Sequence, residues 1–85
     1  MLKYKGQDNS MVYGGVVMEY NYNKLWKLLI DKNMRKKDLM DKTGITSSTI
    51  AKMGKNKAVS MEVIGKICIA LNCEIGDVVD VLREE

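Results

Sequence analysis

A chain of 85 residues with a hydrophobic fraction of 46% and a charged fraction of 29% has the composition of one small globular domain, which excludes a wholly disordered chain. No apolar run approaches the roughly 20 residues that span a bilayer, and the N-terminus does not resemble a secretory signal, so we expect a soluble cytoplasmic protein without a membrane partner. The sequence contains no histidine and no acid–base or metal-ligand pattern, and it therefore predicts no enzyme, no cofactor, no metal site and no small-molecule ligand.

The net charge of +3 is unevenly distributed along the chain. Residues 1–20 are neutral, residues 21–57 carry ten basic against three acidic side chains, a net +7, and residues 58–85 carry two basic against six acidic ones, a net −4. A basic stretch of this kind is typical of a segment that binds a polyanion.

Residues 1–20 are interpreted as an N-terminal extension, and residues 21–85 as the main domain. Stretches 2–5 and 11–20 favour strands, with turn-forming residues 8–10 between them and a second break at Gly14-Gly15. This favours a short β-hairpin, or an extended arm through which two copies pair. An alternative is that translation naturally starts at Met18, because the two glycine codons, GGN GGN, can form a ribosome-binding sequence. A codon for Gly14 other than GGA or GGG would exclude that alternative.

Helical spacing predicts a first helix that begins at Asn21 or Asn23 and ends near Lys32. Its apolar face contains Tyr22, Leu25, Leu28 and Leu29, with Trp26 and Ile30 widening the stripe. We expect Trp26 to pack in the core or in a dimer contact, and not to bind a ligand.

A second helix is predicted over residues 35–42 and a third over about 46–53, with Gly44 turning the chain between them through a positive φ. The second helix has three basic residues in its first turn, Arg35, Lys36 and Lys37. Positive charge opposes the dipole at a helix N-terminus, and this conflict is relieved when a phosphate binds there. These three residues are therefore predicted phosphate contacts.

The third helix is expected to begin at an N-cap, Thr46, and to direct Ile50 and Met53 inward. The small and basic side chains on its other face are candidates for reading base edges in double-stranded DNA, because short hydroxyls approach closely, a lysine reaches guanine and an alanine methyl fits a thymine methyl. They are Thr46, Ser47, Ser48, Ala51 and Lys52. The following loop offers three further predicted phosphate contacts, Lys55, Asn56 and Lys57.

A fourth helix is predicted from the cap Ser60 to Asn72, and a fifth from Ile75 to about Leu82. The apolar face of the fourth contains Met61, Ile64, Ile67, Cys68 and Leu71, and that of the fifth contains Ile75, Val78, Val79 and Leu82. Cys68 and Cys73 are interpreted as small buried hydrophobic residues and not as a disulfide.

Residues 34–79 contain L-M-D-K-T-G-I-T-S-S-T-I-A-K-M followed by V-S-M-E-V-I-G-K-I-C-I-A-L-N-C-E-I-G-D-V-V. This pattern resembles the lambda-repressor-like Cro/CI-type (Xre) helix-turn-helix family. The resemblance implies an all-α, compact five-helix DNA-binding domain. In such a domain Lys36, Lys55 and Lys57 contact phosphate, and the base-facing positions are Thr46, Ser47, Ser48 and Lys52. The chain departs from the family at Arg35, where serine or threonine is common, at Lys36, where glutamine is usual, and at Met40, where a small residue is usual.

The sequence thus predicts a sequence-specific DNA-binding transcriptional regulator, a repressor, that inserts the third helix in the major groove as a homodimer on a pseudo-palindrome. The alternative is a protein-interaction module on the same fold, antitoxin-like or a phage accessory protein, in which the acidic C-terminal segment contacts the partner.

Overall fold

The computed structural model describes residues 11–13 and 16–84, so the predicted strand over residues 2–5 and the break at Gly14-Gly15 lie outside the described residues. Within these ranges the chain forms four α-helices, one 3₁₀ turn and a three-stranded sheet. In chain order they are β1 (Met11–Tyr13), β2 (Val16–Asn21), α1 (Asn23–Asp31), α2 (Lys36–Thr43), α3 (Ser47–Gly54), α4 (Met61–Leu71), the 3₁₀ turn (Ile75–Asp77) and β3 (Asp80–Glu84).

The sheet joins the two ends of the described chain. Its order is β1-β2-β3 and both pairings are antiparallel, with Met11 opposite Met18 in one pair and Tyr20 opposite Val81 in the other. At the surface an ion pair links the sheet to a helix, with Lys24 Nζ of α1 3.1 Å from Asp80 Oδ1 of β3. An exposed ion pair of this kind contributes at most about 1 kcal/mol, so the sheet is held to the helices mainly by Tyr20 of β2 and Val79 before β3, which pack against the buried core.

The predicted fifth helix is wrong beyond its first turn. The chain makes one 3₁₀ turn at Ile75–Asp77 and then enters β3 at Asp80. The helical spacing of the apolar residues is present, but Val79 and Val81 are β-branched, and β2 offers a strand with which residues 80–84 can pair. The fold is therefore mostly helical with a small sheet, and not an all-α domain of five helices.

Polar side chains and asparagines in the left-handed conformation define the ends of α1 and α4. Asn21 Oδ1 accepts the N–H of Asn23 at 2.9 Å, so Asn21 satisfies a backbone donor at the start of α1 although Tyr22 occupies the N-cap position. Ser60 Oγ accepts the N–H of Val63 at 3.2 Å and begins α4 as predicted. Asn33 after α1 and Asn72 after α4 have φ of 55° and 52°, a conformation that terminates a helix.

A single cluster of buried side chains joins all four helices and the segment before β3. Its members are Tyr22, Leu25, Leu29, Leu39, Ile45, Ile50, Met53, Ile64, Ile67, Leu71 and Val78. Burying each large apolar side chain contributes about 1.5–3 kcal/mol, so this cluster fixes α2 and α3 against α1 and α4. The thiols of Cys68 and Cys73 are free and half-buried at its edge.

Three apolar residues that were expected on inward faces are exposed. Ile30 of α1 is 73% exposed, Met61 at the start of α4 is 67% exposed and Ile75 in the 3₁₀ turn is 48% exposed. Each lies at the margin of a helix stripe or at the first residue of an element, where none of the described elements covers it. No helix among residues 11–13 and 16–84 combines the length and the hydropathy that crossing a bilayer requires.

Candidate nucleic-acid interface

The turn between α2 and α3 is built around Gly44, whose φ is 76°. Its N–H donates to the carbonyl of Met40 at 2.8 Å, which closes the end of α2 in a left-handed cap that favours glycine. Thr43 reinforces the turn, because its hydroxyl donates to the Leu39 carbonyl at 2.7 Å and accepts the N–H of Ile45 at 3.2 Å. Ile45 then enters the core and directs α3 away from α2.

At the start of α2 the positive charge is partly balanced by Asp38. The N–H of Arg35, the N-cap residue, donates to Asp38 Oδ2 at 2.8 Å, and the Arg35 Nε lies 3.6 Å from the same oxygen. The backbone hydrogen bond, assisted by the nearby guanidinium, holds the pKa of the Asp38 carboxyl below its usual range. Arginine has no acceptor for the helix N–H groups, so this end of α2 keeps donors that can face an anion.

Lys36, the first residue of α2, lies against α1. Its Nζ is 4.5 Å from the centroid of the Trp26 ring, a distance typical of a cation–π contact. Trp26 is half-buried and packs against the core, in agreement with the packing role expected for it. The sequence did not indicate that the ring also holds a lysine ammonium.

Thr46 is the residue before α3; its backbone is extended, and its Oγ1 accepts the N–H of Thr49 at 3.3 Å. The same oxygen lies 3.1 Å from the hydroxyls of Ser48 and Thr49. The prediction that Thr46 is the N-cap of α3 is confirmed. The same hydroxyl, which was also expected to read bases, is occupied by these contacts within the protein.

The two faces of α3 differ sharply in character. Ile50 and Met53 are buried, with 6% and 0% of their surface exposed. The opposite face is exposed and contains all five predicted base-reading residues, Thr46, Ser47, Ser48, Ala51 and Lys52. Because the buried face is fixed by the core, the exposed face has a defined orientation on the surface.

The loop after α3 has a fixed backbone. The N–H of Lys57 donates to the Lys52 carbonyl at 2.9 Å and that of Asn56 to the Met53 carbonyl at 3.0 Å, a Schellman ending in which Asn56 has φ of 59°. Lys55 and Lys57 are exposed and Asn56 is half-buried. Asn56, a predicted phosphate contact, thus also has a structural role in ending the helix.

The hydroxyl of Tyr22 binds this loop from the other side. It donates to the Lys57 carbonyl at 2.7 Å, although the two residues are 35 positions apart. Tyr22 is 1% exposed, and burial raises the pKa of its phenol, with a smaller contribution from Tyr20 and an opposing hydrogen bond from the Val59 backbone. A bond to a backbone carbonyl from a distant side chain leaves no sequence pattern, and sequence reasoning missed this contact.

The predicted site residues therefore lie in three groups: the start of α2, the exposed face of α3 and the loop after it. Arg35, Lys36 and Lys37 are all exposed in the first group. Among the described residues no cluster of three or more His, Cys, Asp or Glu side chains could hold a metal ion.

Comparison with known proteins identifies the family to which the chain belongs. The model of the Cro/C1-type HTH DNA-binding domain matches residues 24–82. The chain is 33% identical over 60 residues to an uncharacterized HTH-type transcriptional regulator, YozG of Bacillus subtilis (strain 168), over 68% of this chain and 71% of that protein. The crystal structure of the transcriptional regulator VanUg (Form II) is similar, with a TM-score of 0.75 and 51% identity over 79% of this chain and 89% of that one. The sequence resemblance is confirmed, and the chain belongs to the Cro/C1-type helix-turn-helix family of DNA-binding transcriptional regulators.

Proposed function

We propose that this regulator reads a specific DNA sequence by placing α3 in the major groove. The observation that carries the proposal is the exposed face of α3, where Ser47, Ser48, Ala51 and Lys52 present short, apolar and basic groups while Ile50 and Met53 anchor the helix in the core. A helix fits the major groove of B-DNA, and side chains of these types match base-edge donors, acceptors and methyl groups.

Phosphate binding supplies the affinity in this proposal. Arg35, Lys36 and Lys37 flank the reader at the start of α2, and Lys55, Asn56 and Lys57 follow it in the loop. Basic residues at a helix N-terminus act on a phosphate together with the backbone N–H groups, and loop lysines add affinity that does not depend on sequence. The net +7 of residues 21–57 favours the approach of this part of the chain to DNA.

A homodimer is the proposed assembly. A two-fold dimer would place two α3 helices on half-sites about 34–36 Å apart, one turn of DNA. In the described sheet, β1 and β3 are the edge strands, and an edge strand can pair with its copy in a second chain. Repression is the proposed outcome, because a dimer bound over a promoter in the cytoplasm would cover DNA that transcription requires.

The test is a selection of bound sequences from a random duplex library at moderate salt, followed by measurement of affinity against salt. The proposal expects an enriched pseudo-palindromic site and a log affinity that falls with log salt at about 0.9 per phosphate contact. Lys66→Ala is the control for replacement of lysines in the three groups. Lys66 is an exposed lysine of α4 that lies outside these groups, with its Nζ 3.5 Å from Glu62 Oε2. A reporter behind the selected site then distinguishes repression from activation.

The second candidate function is a protein-interaction module. Two observations favour it: Ile69 of α4 is 85% exposed, and residues 58–85 carry a net charge of −4. Under this alternative the selection yields no enriched sequence, and replacement of Ile69 abolishes binding of the protein partner.

A further inference from the structure

The first turn of α1 contacts two segments that are distant in the chain. Tyr22 donates its hydroxyl to the Lys57 carbonyl at 2.7 Å, and Trp26 holds the Lys36 ammonium 4.5 Å from its ring centroid. The two aromatic residues are one helical turn apart, since the N–H of Trp26 donates to the Tyr22 carbonyl at 3.2 Å. One turn of helix thus links the start of α2 to the loop after α3.

Resting on the proposed function, we propose that Tyr22 and Trp26 are positioning residues for the DNA backbone. They hold two phosphate-binding groups, Lys36 on one side and the loop of Lys55 and Lys57 on the other, at a fixed spacing. The ligand of this pair of groups is the phosphate backbone of duplex DNA, and the spacing sets where α3 enters the groove.

The Tyr22 contact suits this role because it acts on the loop backbone. The loop is held at Lys57 by two bonds, the N–H to the Lys52 carbonyl at 2.9 Å and the carbonyl to the Tyr22 hydroxyl at 2.7 Å. Neither bond uses the Lys57 ammonium, which remains exposed to solvent. A loop whose backbone is already ordered loses less conformational entropy when its lysines bind phosphate.

The Trp26 contact acts on the side chain. Lysine has three N–H donors, so an ammonium over a ring face can still donate to a phosphate on its other side. Lys36 also stands at the N-terminus of α2, where backbone N–H groups favour an anion. The indole therefore holds the ammonium near the position in which helix and lysine act on one phosphate.

Packing alone would also account for two aromatic residues at the start of α1. The salt dependence of DNA binding distinguishes a packing role from a positioning role. A purely structural defect reduces the fraction of folded protein but leaves the number of neutralised phosphates unchanged. A positioning defect reduces that number, and the slope of log affinity against log salt falls by about 0.9 for each phosphate that is no longer neutralised.

The first experiment compares Tyr22→Phe with the matched control Tyr20→Phe. Tyr20 lines the same surface pocket as Tyr22, and both variants keep the aromatic ring. Binding to a short random-sequence duplex, with thermal unfolding measured in parallel, is expected to show a salt slope that is flatter for Tyr22→Phe by about one to two phosphates and unchanged for the control. In a background of Lys55→Met and Lys57→Met, Tyr22→Phe should have no further effect on the slope.

The second experiment is a double-mutant cycle of Trp26→Leu and Lys36→Met. If Trp26 acts through Lys36, the loss of affinity caused by Trp26→Leu should disappear in the Lys36→Met background. Trp26→Phe, which keeps a smaller aromatic face, should retain part of the effect and guards against a folding defect in Trp26→Leu.

The outcomes distinguish this inference from the proposed function. If wild-type protein binds the random duplex with a steep salt dependence but the Tyr22 and Trp26 variants keep its slope, the positioning role is overturned and the proposed function stands. If wild-type protein binds duplex DNA without selecting a sequence, and the variants lose slope, sequence reading by α3 is overturned and the positioning role stands. If wild-type protein binds no duplex, both are overturned.

Discussion

The Thr46 hydroxyl accepts the backbone N–H of Thr49 at 3.3 Å, and this bond begins the helix that carries the proposed base-reading face. The same oxygen lies 3.1 Å from the hydroxyls of Ser48 and Thr49, so three hydroxyl side chains meet at the N-terminus of α3. Of these, the Ser48 and Thr46 side chains are exposed. A residue that was expected to read bases therefore also stabilises the helix.

Replacement of Thr46 is expected to lower stability as well as DNA binding. Thr46→Ala removes the capping oxygen and should reduce the free energy of unfolding by about 1 kcal/mol. For a domain of this size that corresponds to a fall in Tm of about 4–8 °C, measurable by circular dichroism. Thr46→Ser keeps the oxygen and should retain most of the stability. Equal losses in the two variants would show that the threonine methyl group, and not the cap, is important.

The sequence was sufficient for the elements whose signals are local. Gly44 with its positive φ, Thr46 as a cap and the buried pair Ile50 and Met53 were all predictable, because turns, caps and helical stripes depend on neighbours within a few positions. The grouping of the basic residues around α3 followed from the same pattern. The predicted ends of α1 to α4 agree with the structure within about one residue, in line with the usual uncertainty of helix boundaries.

The remaining features depend on contacts between distant residues. Residues 80–84 fit a helical pattern by spacing, and only the presence of β2, some 60 positions earlier in the chain, makes them a strand. The contacts of Tyr22 with Lys57 and of Trp26 with Lys36 likewise span 35 and 10 positions. Such pairings are decided by the packing of the whole domain, which local propensity does not report.

Asn56 offers a test of the loop geometry that does not require DNA. Its φ of 59° is unfavourable for residues other than glycine and asparagine. Asn56→Ala should therefore lower the free energy of unfolding by about 1–2 kcal/mol, whereas Asn56→Gly should be nearly neutral. Urea unfolding of both variants measures the difference. Equal stability of the alanine and glycine variants would contradict a left-handed Asn56.

Replacement of side chains on α3 and in the loop should affect DNA binding in different ways. Lys52→Ala and Ser48→Ala are expected to reduce the discrimination between the selected site and single-base variants, by about 1–3 kcal/mol for a contact that reads a base. Lys55→Ala should weaken binding to all sequences alike and flatten the salt slope by about one unit. Affinities for a panel of duplexes at several salt concentrations measure both quantities.

The contrast between these variants is the control. If Lys55→Ala altered base preference and Lys52→Ala did not, the roles proposed for the loop and for α3 would have to be exchanged.

Two isoleucines of α4 provide a matched test of the core. Ile67 is 0% exposed and Ile69, two residues later, is 85% exposed. Ile67→Ala should reduce the free energy of unfolding by about 2–5 kcal/mol, because it removes packed methyl groups and leaves a cavity. Ile69→Ala should change it by no more than about 0.5 kcal/mol. Chemical denaturation of the isolated protein measures both, and a large loss for Ile69→Ala would indicate that a second copy covers this residue.

Alkaline pH should weaken the contact between Tyr22 and the loop. Burial raises the pKa of the Tyr22 phenol above its ordinary value, and a group whose pKa is higher in the folded state contributes stability below its unfolded pKa of about 10. That contribution is lost as pH rises through the folded pKa, because an ionised Tyr22 cannot donate to the Lys57 carbonyl and its charge is buried.

The variant Tyr22→Phe isolates this effect. Near neutral pH it should be less stable than the wild type by about 1 kcal/mol, since it lacks the hydrogen bond and leaves the Lys57 carbonyl without that donor. Above pH of about 10 the difference should narrow, because the wild type alone carries the cost of ionising a buried phenol. Urea unfolding of both proteins over a pH series measures the difference in their free energies of unfolding. Because the two proteins share the other tyrosines and the lysines, the effect of those titrations cancels in the difference. A difference that stays constant or widens as pH rises would show that the Tyr22 hydroxyl ionises at least as readily in the folded chain as in the unfolded one, which would contradict the raised pKa.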